Sequence, residues 1–324
     1  MAKIALIGEC MIELSELSPA LSAVGSAFPR LSYGGDTLNT AIYLARLGVA
    51  TQYVTALGDD PFSNWMLKQW QTEGIDTRGV QIFPGKLPGA YAIFTEASGE
   101  RSFYYWRKES AVRQMLDTPL AYDRLAERLA RSNWVYLSGI TLSLFDENAR
   151  EQLLQILETH RSRSGKIAFD CNYRPSNWSS HSEAEDVFAR FCALSDIALP
   201  TLADMQLISP TLDVDELTQR YHDWGCAEIL IKLGAQGCMV VSGESRTLVP
   251  AQAVETVVDT TAAGDSFNAG YMAARFAGYS PVQAAGFASR LAAVVIQSPG
   301  AIVSKEKTIE LQYELTQCGA IEEF

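Results

Sequence analysis

Asp265 is the residue from which chemistry is most readily built. It closes a run of small side chains, Ala262, Ala263 and Gly264, within residues 257–271 (VVDTTAAGDSFNAGY), after which Phe267, Tyr271, Ala274 and Gly278 recur at helical spacing. Val257 and Val258 read as the end of a buried strand, so the chain is expected to pass here from strand to helix. The first N–H groups of a helix lack intrahelical partners and carry partial positive charge. With almost no side chain over them, the amides of Ala262, Ala263 and Gly264 would let an anion approach closely. An acid suits that end of a helix in any case. A capping-box acid, however, belongs at Gly264 if Thr261 is the cap, and at Ala263 if Thr260 is. The placement of Asp265 instead favours a base that takes a proton from a hydroxyl while that hydroxyl attacks a phosphoryl group.

A second pattern lies near the other end of the chain. In residues 33–48 (YGGDTLNTAIYLARLG), Leu38, Ile42, Ala45 and Val49 mark a helix stripe that Gly48 stops, and Asp36 or Thr37 would cap it. Capping does not account for the adjacent Gly34 and Gly35, which let a ligand lie against backbone.

These two stretches resemble the signatures of the ribokinase-like sugar kinases, the PfkB carbohydrate kinase family. Its C-terminal pattern is D-T-x-G-A-G-D, here DTTAAGD from Asp259 to Asp265. Its N-terminal pattern, G-G-x-x-x-N-x-A-x-x-L-A-x-L-G, is matched by Gly34, Gly35, Asn39, Ala41, Leu44, Ala45, Leu47 and Gly48. The resemblance implies that Asp265 is the catalytic base and that the amides of Ala262, Ala263 and Gly264 form an anion hole. It also implies that Gly34, Gly35, Asp36 and Asn39 bind a sugar, with ATP and Mg2+ as cosubstrate and metal and a monovalent cation left open.

The scaffold must bring these stretches together. A chain of 324 residues with 48% hydrophobic and 20% charged content has ordinary globular composition and length for a large core. A net charge of -12 argues against nucleic-acid and anionic-membrane binding, which need a basic footprint. Six scattered cysteines without a C-x-x-C pair, and only three histidines, speak against zinc and for free thiols. The apolar start is soon interrupted by Glu9 and Glu13, so neither a signal peptide nor a membrane span is expected, and the location is taken as cytoplasmic.

Strands are expected at 4–8, within 53–60 together with a turn, and at 134–137, 166–170, 197–199 and 228–232, alternating with helices at about 61–73, 120–132, 146–163, from 183, and 213–225. Helices at about 281–297 and 305–317 close the chain, with a turn at 298–301 near the nucleotide. Such alternation implies a mostly parallel sheet covered on both faces, with ligands beyond its carboxyl edge. The expected fold is thus α/β: a ribokinase-like three-layer sandwich, one domain over 1–324, with a small β lid from insertions at about 12–33 and 88–110.

In that lid, 90–95 and 101–107 read as strands joined by a turn at Ser98, Gly99 and Glu100. Tyr105 and Arg107 should share a face by two-residue alternation, and arginine can fork a carboxylate. Segments LPGAY (87–91) and FYYWR (103–107) resemble the 2-keto-3-deoxygluconate kinase branch of the family, which implies that Tyr91, Tyr105 and Arg107 contact a sugar acid.

Two more strand ends carry polar residues. In DCNYRP (170–175), Asn172 and Arg174 are expected to alternate onto one side, and in KLGAQGC (232–238) Lys232 precedes a glycine turn. The pattern alone assigns neither cation. The resemblance places Asn172 and Arg174 at phosphate and substrate, and Lys232, Gly234 and Gly237 on the nucleotide side. Where the family carries N-x-x-E, this chain has Thr201, Leu202, Ala203 and Asp204, so the metal ligands stay open, with Asp204 acting at most through water.

ATP-dependent phosphorylation of 2-keto-3-deoxygluconate to its 6-phosphate is therefore the expected activity, in a homo-oligomer. The alternatives are a fructose, ribose or nucleoside kinase of the same family and a non-catalytic sugar-acid sensor. A dinucleotide enzyme is disfavoured because no G-x-G-x-x-G follows the first strand.

Overall fold

Both faces of the first strand are covered, which is why it is a continuous apolar run. In the computed structural model, which describes residues 2–17, 29–95 and 101–318, this strand is β1 (Ala2–Ile7). Ala5 and Ile7 enter one core cluster and Ile4 and Leu6 the other. The chain continues through β2 (Met11–Leu17), β3 (Arg30–Gly34), β4 (Thr51–Val54), β5 (Ala56–Leu57), β6 (Gln81–Ile82), β7 (Gly89–Thr95) and β8 (Arg101–Trp106). There follow β9 (Ser132–Ser138), β10 (Lys166–Asp170), β11 (Ile197–Ala198), β12 (Glu228–Lys232), β13 (Cys238–Ser242) and β14 (Ser245–Val249).

The main sheet has the order β14-β13-β12-β11-β10-β9-β1-β4. From β4 to β12 every pairing is parallel, and β13 and β14 add an antiparallel hairpin. One face packs helices Pro119–Leu129, Glu147–Ser162, His181–Cys192 and Val214–Asp223 through residues such as Leu125, Leu153, Phe188 and Leu217. The other packs Asp36–Arg46, Pro61–Thr72, Ala263–Phe276, Pro281–Ile296 and Ile309–Cys318 through Leu38, Trp70, Tyr271, Leu291 and Leu315. The result is the three-layer α/β sandwich expected. Because β1 pairs with β4 on one side and β9 on the other, the winding reverses there, and a crevice opens beyond the carboxyl ends.

A second sheet, β3-β2-β7-β8, rises from that edge as a lid. Its β2–β7 pair is parallel and its two outer pairs antiparallel. Residues 12–33, expected as one of the lid insertions, supply most of β2 and β3, with 18–28 outside the described residues. The turn at Ser98, Gly99 and Glu100 also lies outside them.

Two expectations fail. The β13–β14 hairpin, turned at Gly243 with φ 57, is absent from the pattern above. Val257 and Val258 do not end a buried strand: they are 55% and 51% exposed, and the Val258 N–H donates to the Ile296 carbonyl at 2.8 Å. Two valines are too short a run to specify a strand when a helix terminus offers the backbone its acceptor.

Candidate active site

Helices Asp36–Arg46 and Ala263–Phe276 pack side by side with Asn39 and Asp265 in their first turns. Asn39 Nδ2 donates to Asp265 Oδ2 at 2.8 Å, and Thr40 Oγ1 donates to the Asp265 carbonyl at 3.2 Å. The two sequence signatures thereby meet at one carboxylate. The residue keeps partial exposure toward the crevice. Burial of the carboxyl group, aided by the charge on Asp36, pushes Asp265 up to about 7, against the opposing hydrogen bond from Asn39. Among the described residues the enclosed Asn39 Oδ1 has no partner, which leaves an acceptor for a hydroxyl.

The amides before Asp265 are only partly as expected. Ala262 caps the helix with φ 60 and ψ 17, a left-handed conformation rare for a residue with a Cβ. The turn it makes lets the Ala263 N–H donate to the Thr260 carbonyl at 3.1 Å, so this amide is not an open donor. Among the described residues, the Ala262 and Gly264 N–H groups have no protein acceptor. A Cβ at Gly264 would lie 3.6 Å from Lys232 Nζ, which puts an ammonium beside the free amide.

Lys232, at the end of β12, is itself held from below. Its Nζ donates to Asp170 Oδ2 at 2.9 Å and to Asn268 Oδ1 at 3.2 Å, and Asn268 Nδ2 donates to Asp170 Oδ2 at 2.6 Å and Tyr136 Oη at 2.9 Å. Burial works to lower the lysine's proton affinity, but the charge and hydrogen bond of Asp170 outweigh it and keep the ammonium charged.

Asn172 does not share a side with Arg174. With φ 33 it breaks strand alternation, and its Nδ2 donates to Asp36 Oδ2 at 2.9 Å. Arg174 turns instead to Asp204, with Nη1 3.1 Å from Oδ1. Burial raises Asp36 and Asp204, and Asp170 raises both further, so the crevice gathers acids balanced by Lys232 and Arg174.

In the lid, the Tyr91 hydroxyl donates to Glu13 and its ring lies 5.8 Å from that of Tyr105. A Cβ at Gly34 would come within 2.5 Å of the Tyr91 hydroxyl, so that glycine makes room for the lid. Gly35 is demanded by the protein itself: its Cβ would meet the Glu9 carbonyl at 2.1 Å. Tyr105 and Arg107 do not project together. Tyr105 is 54% exposed, whereas Arg107, beyond the end of β8, turns inward until Nη2 is 2.5 Å from Glu9 Oε2. Gly237 likewise serves packing, since a Cβ there would meet the Val249 carbonyl at 2.1 Å, while Gly234, with φ 60, faces open space.

The sequence pattern assigned no role to Glu9, Glu13, Asp170 or Asn268. Asn268 follows Asp265 by three residues, on the same helix face, and was open to discovery on that spacing. A cavity of about 330 Å³ between the lid and residues 299–302 is lined by Glu13, Ser32, Asp259, Thr261 and Gly300. Asp259 Oδ2 accepts from the Gly300 N–H at 2.9 Å, tying that turn to the C-terminal signature.

The chain is similar to known proteins over nearly its whole length. It is 44% identical over 310 residues to a 2-dehydro-3-deoxygluconokinase of Dickeya dadantii, covering 94% of this chain and 97% of that one. It is 43% identical to the enzyme of that name in Escherichia coli K12, with 94% and 98% covered. Among solved structures, a PfkB protein from Polaromonas superposes with a TM-score of 0.82 at 20% identity, covering 98% of this chain and 99% of that one. A putative ribokinase II from E. coli, in complex with ATP and Mg2+, superposes with a TM-score of 0.82 at 22% identity over the same shares. Residues 1–308 match the model of the pfkB family carbohydrate kinases, and the chain belongs to that family.

Proposed function

We propose that this chain phosphorylates 2-keto-3-deoxygluconate (2-dehydro-3-deoxygluconate) at its terminal hydroxyl with ATP, giving the 6-phosphate and ADP. The observation that carries the reading is the Asp265 carboxyl, fixed by Asn39 and raised to about 7, beside two open amides and the Lys232 ammonium. A base near neutrality and donors around a transferring phosphoryl group are what this chemistry requires. Similarity to the 2-dehydro-3-deoxygluconokinases supports the substrate.

Asp265 takes the proton of the sugar acid's terminal hydroxyl as its oxygen bonds to the γ-phosphorus, and the bond from that phosphorus to the bridging oxygen breaks to release ADP. The Ala262 and Gly264 amides and Lys232 face the phosphoryl oxygens. Arg107, with Tyr91 and Tyr105, receives the carboxylate end, Asp36 and Asn39 the hydroxyls, and Arg174 a phosphate or the carboxylate. Magnesium bound with the nucleotide neutralises phosphate charge. Asp204 is the carboxylate at hand that would hold such an ion, through water.

The protein acts in the cytoplasm; no helix among the described residues is long and apolar enough to cross a membrane. It is a homo-oligomer in this reading, since edge strand β8 leaves Phe103, Tyr104, Tyr105 and Trp106 about half exposed or more. A coupled assay of ADP release with 2-keto-3-deoxygluconate, fructose and ribose tests the substrate. Preference for either neutral sugar would replace the reading, and binding of the acid without ADP release would make the protein a sensor.

A further inference from the structure

The acid that meets Arg107 belongs to neither signature. Glu9 stands two residues past the end of β1, is 3% exposed, and brings Oε2 to 2.5 Å from Arg107 Nη2. Its main chain is pressed against Gly35, the cap of the Asp36–Arg46 helix, where a Cβ would collide with the Glu9 carbonyl at 2.1 Å. Its side chain is pressed against β7: a Cβ on Gly89 would fall 3.0 Å from Glu9 Oε1 and 3.2 Å from Arg107 Cβ. One residue just past the main sheet's first strand thus touches the cap of the sugar-side helix, the start of β7 and the residue that follows β8.

The pairing is asymmetric. Arg107 Nε and Nη2 are enclosed, and among the described residues neither they nor the Glu9 oxygens have an aligned hydrogen-bond partner. The Arg107 side chain keeps 13% exposure, which leaves Nη1 as the donor on the open side. The contact is therefore an ion pair that orients the guanidinium and still spares one arm. Burial pushes the Glu9 carboxyl above its ordinary range, and the Arg107 charge, then Ser110 and Arg113, work against that rise.

We infer that Glu9 is a positioning residue that clamps the inner edge of Arg107 and aims its free arm at the substrate carboxylate, so that selection of acids over neutral sugars is set from outside the substrate site. This rests on the sugar-acid reading above. An ion pair that only stiffened the lid hinge would affect every substrate alike. One that aims Arg107 affects only substrates with a carboxylate to be aimed at.

The test compares 2-keto-3-deoxygluconate with 3-deoxyfructose, in which a hydroxymethyl group replaces the carboxylate, in the full-length protein and in Glu9→Gln, Arg107→Ala and the double variant. Glu9→Gln should raise KM for the acid by about tenfold, the loss expected when the carboxylate of an enclosed ion pair is neutralised, with kcat and the neutral analogue little changed. In the Arg107→Ala background the same substitution should have no further effect on the ratio of the two substrates. Equal losses on both substrates, or the same loss of selectivity without Arg107, would overturn the inference. If Arg107→Ala alone leaves selectivity unchanged, it is the sugar-acid reading that fails. Should Glu9→Gln not fold, Glu9→Asp, which keeps the charge but withdraws it by one methylene, should move KM in the same direction.

Discussion

Replacing Asp265 by asparagine removes one proton acceptor and almost no volume, and its effects on rate and on stability should have opposite signs. The side-chain amide can turn its oxygen to Asn39 Nδ2, so the 2.8 Å hydrogen bond between the two helices survives. Loss of a general base lowers turnover by roughly two to four powers of ten. Stability should move the other way. Burial raises this carboxyl from 3.8 to about 7, which corresponds to a cost on the order of 4 kcal/mol for holding it charged. A raised acid costs nothing below the unfolded value, loses stability as pH climbs from about 4 to about 7, and carries the full cost above that. Asp265→Asn should therefore match the parent's melting temperature near pH 4 and exceed it at pH 8. Coupled ADP release and thermal melts at the two pH values read both effects from one preparation. An inactive variant that melts lower at pH 8 would mean that the carboxylate stabilises the fold, and unchanged turnover would remove Asp265 from the chemistry.

The same titration predicts that kcat/KM of the parent rises as pH passes about 7; a rate flat from pH 5 to 9 would count against a base at this position. Lys232→Met strands the buried Asp170 carboxylate and should cost about 3 kcal/mol in urea unfolding, with weaker binding of the nucleotide; a neutral result would show that Asn268 alone satisfies Asp170. Ala262→Gly relieves a left-handed Cβ worth roughly 1–2 kcal/mol but adds roughly 0.5–1 kcal/mol of chain entropy, so a gain of about 0.5 kcal/mol with turnover preserved is expected. A clear loss would mean that the Ala262 methyl makes contacts that outweigh its strain.

What the sequence disclosed follows from where each residue's information resides. Strands β10 and β12 are apolar runs bounded by charges, and their limits, Lys166–Asp170 and Glu228–Lys232, are legible to the residue. Strand β2 was not, because a lid strand covers a polar crevice. Ile12 and Leu14 alternate with Glu13 and Ser15, and Glu13 accepts from Ser32 and Tyr91, but Glu16 falls in the apolar register and leaves the alternation too short to mark a strand. Asp265 and Asn39 could be picked out by type and local spacing, but their pairing, across 226 residues, exists only once the helices pack. Asp170 closes an apolar strand and Asn268 follows Asp265 by three residues, so spacing puts Asn268 on the face of that helix, but that both seat Lys232 exists only once strand and helix pack. The inward turn of Arg107 was hidden for the opposite reason. Alternation predicts side-chain direction only while a strand lasts, and β8 stops at Trp106.

The side-by-side helices Asp36–Arg46 and Ala263–Phe276 have a consequence for how the molecule is made. During vectorial synthesis the sugar half of the crevice emerges from the ribosome early and the phosphoryl-transfer half almost last. Until residues beyond Phe276 have cleared the exit tunnel, a nascent chain lacks a folded seat for the Asp265 carboxylate that the proposed transfer uses. The long sequence separation slows the closing step of folding.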